Sequence, residues 1–266
     1  MIKRMEDLAD RTIWAMGEQL KCGDFVPFVF EHKFNMEVGD GDRKQLMSGT
    51  IDRVDICENG TDVYVRIIDY KTGKKDFNIV KTYYGIDIQL MVYMEAAMKL
   101  VAKMRPGKNV IPAGVFYYNI SDPIVSATTE SAEEIEDKIK GELRLKGMVN
   151  SDKDIAEKMD NTEGTSLNIP VSRKADGGFD SRRSKVMNTE QFNILGRFVD
   201  VRAIDTADRI VGGDIRRSPY KDGQFSSCDR CPYGAVCGFS VDLPGCNYRK
   251  LKKFDDEVSV SYTHLT

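Results

Sequence analysis

An Asn-Gly pair at 59–60 separates two segments in which apolar and polar residues alternate. Such a pair between alternating segments is the strongest short-range signal for a β-hairpin, because both residues accept the backbone angles of a tight turn. The segments 45–56 and 63–72 are therefore predicted to be antiparallel neighbours in one sheet. A third alternating segment, 25–38, precedes them across a Gly- and Asp-rich turn at 39–44, and it predicts a further strand.

Helical and buried patterns follow the predicted hairpin. Apolar residues recur at helical intervals in three segments: 3–20, 87–102 and 189–211. The apolar segment 109–120 predicts a buried strand, and 131–148 contains a charged helix. The polar segment 149–185, rich in Gly, Asp and Ser, predicts a long surface loop or insertion. Strands followed by a helix and another strand indicate an α/β fold with a mixed sheet flanked by helices.

Charge and hydropathy exclude several classes of protein. The formal net charge is -3, which excludes a wholly basic DNA-coating protein but leaves room for a local basic groove. No apolar run approaches the roughly 18 residues of a membrane helix, and the charged N-terminus lacks the apolar core of a signal peptide. We therefore expect a cytoplasmic protein without a membrane partner, whose thiols stay reduced.

Three cysteines lie within ten residues, in the pattern C-x₂-C-x₅-C: Cys228, Cys231 and Cys237. In a reduced compartment this spacing points to a metal or to an iron-sulfur cluster. Structural zinc and iron-sulfur clusters both use four protein ligands, so the segment is one ligand short. The other thiols of the chain could complete the set: Cys22, Cys57 and Cys246.

Carboxylates and a lysine stand at the ends of the predicted hairpin strands. Asp69 and Lys71 are two residues apart after the apolar pair Ile67-Ile68, so their side chains share a face of the strand. Asp52 follows Gly49-Thr50-Ile51 on the neighbouring strand. Two carboxylates on adjacent strands can bind Mg²⁺, and a nearby lysine can orient a water and stabilise charge on a phosphate. The alternative interpretation is a strand-end ion pair.

Two further observations refine this candidate site. Gln89 and Tyr93 are four residues apart on a predicted helix and therefore share one helical face. Asp55 is close enough to Asp52 in sequence to be a rival metal ligand. Asp52 is preferred because it directly follows the Gly-x-Ile element.

The order of these motifs, G-x-I-D, hairpin, I-I-D-Y-K-T and Y-Y-G-x-x-x-Q-L-x-x-Y, resembles the PD-(D/E)XK nuclease superfamily and its RecB-type branch. The resemblance implies a restriction-endonuclease-like fold and an Mg²⁺-dependent DNA exonuclease. It makes Asp52 and Asp69 the metal ligands and Lys71 the catalytic lysine. It places Gln89 and Tyr93 beside the scissile DNA. It gives a supporting role to Glu31.

The fuller pattern, including CDRCPYGAVCGF, is similar to the nuclease domains of the AddB family of helicase-nuclease subunits. That resemblance implies processing of double-strand break ends for homologous recombination, with linear duplex ends and single strands as DNA substrates. It implies an AddA-like helicase-nuclease subunit as partner. It also implies a 4Fe-4S cluster on Cys228, Cys231 and Cys237, whose fourth ligand lies upstream of this chain. Zinc is the alternative metal.

Basic residues surround the motifs. Each run is typical of a solvated surface, but around a phosphodiesterase site some of them should contact the DNA backbone. They follow the candidate active-site strand and lie on both sides of the cysteine segment: Lys74, Lys75, Lys81, Arg209, Arg216, Arg217, Lys221, Arg249, Lys250, Lys252 and Lys253.

These expectations divide the chain into four parts: an N-terminal helix at 1–24, a nuclease domain at 25–225, a cysteine-bound segment at 226–253 and a tail at 254–266 whose lack of pattern suggests a non-native junction. The chain has no P-loop motif, so ATP-driven unwinding would come from a partner or from upstream sequence. Two alternative functions stay open. One is a stand-alone iron-sulfur nuclease of CRISPR or phage type, and the other is a non-catalytic DNA-binding module with a nuclease fold.

Overall fold

The computed structural model describes residues 2–39, 44–126 and 131–251. A six-stranded mixed sheet forms its centre, and the strands follow one another in space in the same order as in the chain. They are β1 (Val26–Val38), β2 (Gln45–Asn59), β3 (Asp62–Lys71), β4 (Asn109–Asn119), β5 (Lys146–Asn150) and β6 (Val186–Met187).

Helices occupy the connections of this sheet. They are α1 (Ile2–Lys21), α2 (Ile79–Tyr83), α3 (Gln89–Met104), α4 (Ala132–Glu142), α5 (Lys153–Met159), α6 (Thr189–Val211) and α7 (Gly234–Cys237). Strand β2 is antiparallel to both β1 and β3, whereas β3 and β4 are parallel. A parallel pair needs a long crossover connection, and α2 and α3 supply it.

The core lies on both faces of the sheet, because alternate residues of each strand point to opposite sides. On one face Ile67 of β3 belongs to a cluster with residues of α3 and α6, including Leu90 and Leu195. On the other face Ile68 belongs to a second cluster, with Ala15 of α1 and Ile155 of α5. The expected α/β fold with a mixed sheet between helices is confirmed.

Most elements lie where the sequence patterns predict them. Asn59 pairs with Asp62 at the end of the β2–β3 hairpin, and Gly60 has a positive φ of 59°, as the Asn-Gly turn requires. Helix α6 spans 189–211 as expected, and its first turn is closed by a capping box between Asn188 and Gln191.

The prediction of a surface loop over 149–185 is wrong for much of that segment. Strand β5 pairs with β4 and ends at Asn150, and α5 follows it. Asp160 is fully buried and accepts hydrogen bonds from Ser166 Oγ at 2.6 Å and from Asn168 Nδ2 at 3.1 Å. The polar residues therefore satisfy one another inside the fold, which composition alone does not reveal. The predicted helix of 131–148 ends at Glu142, before β5.

The segment after α6 is built differently from the rest. It contains a small sheet of β7 (Tyr220–Asp222), β8 (Phe225–Ser226) and β9 (Arg249–Lys250), together with α7. Between 200 and 251 no described residue is buried, and Phe225 and Val236 are exposed. This segment has no apolar core of its own. The predicted tail at 254–266 lies outside the described residues.

A buried ion cluster lies on the α1 side of the hairpin. Asp55 is completely buried and binds Arg53 through Oδ1 at 2.6 Å and Arg66 through Oδ2 at 2.8 Å. The guanidinium of Arg66 also lies 4.9 Å from the ring centroid of Phe25. Both carboxylate oxygens of Asp55 are thus engaged by cations that are themselves buried.

We expect Asp55→Ala to lower the free energy of unfolding by about 3–5 kcal/mol, because it leaves two buried guanidinium groups without their counter-charge. Urea denaturation followed by circular dichroism measures the change. Glu58→Ala is the matched control. It removes a 2.8 Å ion pair to Arg105 whose carboxylate side chain is 43% exposed, and its effect on the free energy of unfolding should be much smaller. Equal losses in the two variants would contradict the importance of burial.

Candidate active site

The end of β3 carries a buried carboxylate beside a partly exposed lysine. The Asp69 side chain is 2% exposed, and its Oδ2 lies 2.5 Å from Nζ of Lys71 as an ion pair. No hydrogen bond from another described residue reaches this oxygen. Burial raises the pKa of Asp69, the Lys71 ammonium opposes that shift, and nearby Asp52 adds to it. A buried oxygen with spare coordination capacity is therefore available here.

Asp52 lies next to Asp69 across the hairpin. The β2–β3 register pairs Arg53 with Ile68, and it puts Asp52 and Asp69 at the adjoining positions. Oδ2 of Asp52 accepts a 2.8 Å hydrogen bond from the backbone N–H of Tyr70, which fixes the carboxylate on β3. The two predicted metal ligands are thus brought together by backbone pairing.

Asp55 does not compete for this site. It is an odd number of residues from Asp52 on the same strand, so its side chain points to the opposite face of the sheet. There its two oxygens are taken by Arg53 and Arg66. The preference for Asp52 over Asp55 is consistent with this arrangement.

Gln89 and Tyr93 contact each other on the first turns of α3. Nε2 of Gln89 donates a 2.9 Å hydrogen bond to Oη of Tyr93. The Tyr93 ring packs edge-on against Phe34 of β1, with ring centroids 5.8 Å apart. A Cβ atom at Gly49 would lie 2.9 Å from Cε1 of Phe34 and 3.5 Å from Cε1 of Tyr93. Glycine at the start of the G-x-I-D motif therefore lets this aromatic pair approach β2.

Three more residues join the site that the motif pattern does not assign to it as a group. Tyr117 of β4 is the parallel partner of Asp69 and is fully buried. Its Oη donates to Oδ1 of Asp87 at 2.9 Å, and Lys75 Nζ lies 3.1 Å from Oδ2 of the same carboxylate. Of the three, the sequence points only to Lys75, as one of several basic residues after the strand. No spacing signal links Asp87 and Tyr117 to Asp69, because they lie on separate elements.

Glu31 occupies a strained position on β1. Its neighbours Phe30 and His32 pair with Arg53 and Ile51, so its backbone lies across from Asp52. Its φ of 46° is the positive value of a non-glycine residue in the left-handed region. Such a conformation costs about 1–3 kcal/mol and is found most often near functional sites. The side chain is exposed.

The carboxylate pair fits a hard divalent cation. Among residues 2–39, 44–126 and 131–251, no three His, Cys, Asp or Glu side chains converge as a closed metal site. Mg²⁺ does not require one, since it commonly keeps several waters and binds through one or two carboxylates. Asp52 and Asp69 supply that number, and the unsatisfied Oδ2 of Asp69 is a suitable ligand atom.

The clustered cysteines do not form a closed site in the described residues. Cys231 is exposed, and Cys228 and Cys237 are partly exposed. Cys57 is buried in the second core cluster, and Cys22 donates to the carbonyl of Glu18 at 3.3 Å. Burial raises the pKa of both Cys22 and Cys57, which favours neutral thiols over thiolate ligands at these positions.

Several of the basic side chains around the site have partners within the chain. Lys81 lies 3.5 Å from Asp222, which links α2 to β7. Arg209 and Arg216 both bind Asp214, and their hydrogen bonds, chiefly those of Arg216, hold the pKa of that carboxyl below its usual range. Arg217 donates to the carbonyl of Cys237 at 3.1 Å. These contacts order the segment after α6.

No helix within the described ranges combines the length and apolar character that crossing a bilayer demands.

The mixed sheet and its paired carboxylates with an adjacent lysine agree with the family comparison, which matches residues 1–238 to the PD-(D/E)XK nuclease superfamily. The chain belongs to that superfamily. The resemblance drawn from the G-x-I-D and D-Y-K motifs is confirmed.

Similar curated proteins narrow the comparison. The AddB component of the ATP-dependent helicase/deoxyribonuclease of Clostridium botulinum strain Hall is 37% identical over 96% of this chain. The proteins of the same name from Clostridium tetani and Thermoanaerobacter pseudethanolicus are 35% and 34% identical over 97% and 96% of it. The chain spans 23% of the length of each of these relatives.

The raised pKa of Asp69 predicts a pH-dependent stability. Folding favours the neutral acid, so the stabilising contribution of Asp69 is present at low pH and is lost as the pH rises through its raised value. We expect Asp69→Asn to raise the free energy of unfolding at pH 7 in metal-free buffer. The gain should shrink as the pH falls below the ordinary value of about 3.9 for Asp.

Chemical denaturation of both proteins across this pH range, with EDTA present, is the measurement. Asp24→Asn is the control, because the Asp24 carboxylate is 65% exposed. A lower stability of Asp69→Asn at pH 7 would show that the Lys71 ion pair outweighs the desolvation of Asp69.

Proposed function

We propose that this chain is a Mg²⁺-dependent nuclease domain that hydrolyses phosphodiester bonds in DNA as an exonuclease. The observation that carries the proposal is the juxtaposition of Asp52 and Asp69 beside Lys71, with one buried carboxylate oxygen left without a hydrogen-bond donor. This arrangement has the residue types that metal-assisted phosphodiester hydrolysis needs. A non-catalytic module would have no use for a buried, costly carboxylate beside a lysine.

Each residue has a distinct task in this proposal. Asp52 and Asp69 would hold Mg²⁺, which when bound supplies Lewis-acid stabilisation of charge on the phosphate and a more acidic water. Lys71 orients the attacking water and stabilises negative charge as the phosphate is attacked. Gln89 and Tyr93, already hydrogen-bonded to each other, offer polar groups beside the scissile strand. No base-reading motif is proposed, so cleavage is expected with little sequence preference.

We further propose that the domain works within a larger helicase-nuclease protein. The similar proteins are named as one component of an ATP-dependent helicase/deoxyribonuclease, and the chain spans 23% of their length. Those names favour membership of a complex over a stand-alone nuclease. An AddA-like helicase-nuclease subunit would then be the partner, and linear duplex ends or single strands of break sites in recombination would be the substrate.

For the cysteine segment we propose a 4Fe-4S cluster on Cys228, Cys231 and Cys237, completed by a ligand from outside this chain. Support comes from the C-x₂-C-x₅-C spacing and from the lack of any buried residue described between 200 and 251. A segment without a core needs another source of stability, and cluster binding is coupled to folding. The three thiols do not converge in the described residues, so the cluster would have to draw them together.

Replacing Asp69 with Ala should abolish Mg²⁺-dependent cleavage of linear DNA and leave DNA binding nearly intact, because a ligand to the catalytic ion is lost. Lys71→Ala should lower the cleavage rate at least about a hundredfold without weakening metal binding. Release of labelled nucleotides from an end-labelled duplex measures both effects. Asp76→Ala, which removes an exposed carboxylate close by, is the control and should retain activity. Cleavage by Asp69→Ala at the wild-type rate would end the nuclease proposal.

The metal at the cysteines is tested by elemental analysis of protein purified without oxygen. In a form extended upstream, Ser replacement of Cys228, Cys231 or Cys237 should each remove iron and the brown absorbance. Ser replacement of Cys22, Cys57 or Cys246 should not. The 266-residue chain should hold iron poorly. Recovery of one zinc and no iron per chain would refute the iron-sulfur assignment.

A further inference from the structure

Tyr117 stands at the junction of the two active-site lysines. Its ring centroid lies 5.6 Å from Nζ of Lys71 and 5.3 Å from Nζ of Lys75, both within the range of cation–π attraction. The ring is fully buried, and its strand register aligns it with Asp69. One aromatic side chain therefore contacts the ammonium groups that flank the carboxylate site.

Asp87 holds this group from the other side. Its side chain is 9% exposed, and both of its oxygens are used: Oδ1 by the Tyr117 hydroxyl at 2.9 Å and Oδ2 by Lys75 at 3.1 Å. Its backbone is fixed as well, because its carbonyl accepts a 2.8 Å hydrogen bond from Oγ1 of buried Thr82. Asp87 thus connects the loop before α3 to the centre of β4.

We propose that Tyr117 and Asp87 are positioning residues that hold the ammonium groups of Lys71 and Lys75 in one orientation, directed at the same DNA phosphate. The inference rests on the proposed nuclease function and deepens it. It assigns Lys75 as a second phosphate-binding lysine of the site.

The physical need for such a pair follows from the properties of lysine. Its ammonium sits on a flexible four-carbon stem and has no fixed geometry, and two neighbouring ammonium groups repel each other. A ring that attracts both groups, together with a carboxylate that binds one of them, reduces both effects before DNA arrives. Preorganised charge at the position of the reacting phosphate then acts without reorganisation.

The state of the Tyr117 hydroxyl suits this role. Burial and the neighbouring Asp87 carboxylate raise the pKa of Tyr117 well above its ordinary value, so the phenol stays protonated throughout the working pH range. It therefore remains a hydrogen-bond donor to Asp87 under all assay conditions.

The first test compares two adjacent tyrosines. Tyr117→Phe removes the hydroxyl that contacts Asp87 and keeps the ring. Tyr118→Phe removes the hydroxyl of an equally buried residue that belongs to the core cluster on the opposite face. We expect Tyr117→Phe to lower kcat about tenfold with KM for DNA changed less than about twofold, and Tyr118→Phe to keep wild-type kcat. Wild-type kcat in Tyr117→Phe, or equal losses in both variants, would overturn the inference.

The second test gives opposite signs for positioning and for simple charge neutralisation. Asp87→Asn removes a negative charge close to bound DNA, so affinity should stay equal or become tighter. If Asp87 positions Lys75, kcat falls about tenfold all the same. If Asp87 only neutralises Lys75, kcat is kept, and that result would refute the inference. Thermal unfolding of the variant identifies a loss that comes from misfolding, which would equally count against positioning.

A third measurement does not depend on cleavage. With EDTA present to prevent cutting, the slope of log binding constant against log salt concentration counts phosphate contacts, at about 0.9 per contact on duplex DNA. Lys75→Ala should lower this slope by about one contact, and Lys75→Arg should restore it. An unchanged slope for Lys75→Ala would remove Lys75 from the phosphate site. Wild-type cleavage that is lost in Asp69→Ala, measured alongside, separates failure of this inference from failure of the nuclease proposal.

Discussion

The pairing register of the β2–β3 hairpin is the constraint on which the rest of the molecule depends. It aligns Val54 with Ile67 and Arg53 with Ile68, and it thereby decides which side chains meet on each face. One face receives Asp52, Asp69 and Lys71, and the other receives the Asp55 ion cluster. A slip of one residue would exchange the two faces, burying the arginines in the apolar cluster and separating the carboxylate pair. The Asn-Gly turn and the buried ion cluster both oppose such a slip.

The active site concentrates electrostatic cost within a sheet that is otherwise apolar. Asp69 is more deeply buried than an isolated carboxylate should be, and its pKa is raised for that reason. Two lysines and an aromatic ring offset part of that cost without completing the coordination of the carboxylate. The apolar residues immediately beneath, including Ile67 and Val115, compensate for the stability that the site loses. The fold therefore carries a site that is poised for a cation and an anionic substrate.

Much of this arrangement could be predicted from the sequence. Strand alternation and the hairpin turn predict β2 and β3, and with them the shared face of Asp69 and Lys71. Tyr117 and Asp87 could not be found in that way, because their relation to Asp69 depends on the parallel register of β4 and on the entry of the chain into α3. Neither feature has a local sequence signal. The prediction for 149–185 is wrong for a related reason, since buried Asp160 is satisfied by partners several residues away that composition does not identify.

The lack of a core after α6 has a consequence for how the molecule unfolds. A segment that buries nothing gains little from the cooperative collapse of the main sheet, so it forms a separate unit with a small free energy of local opening. Its ties to the rest of the fold are polar, such as the contact between Lys81 and Asp222. Amide hydrogen exchange should therefore be fast throughout this segment while the β2–β3 strands remain protected. Proteases would cut there first, and the order of the segment would follow the chemical state of its thiols while the sheet stayed folded.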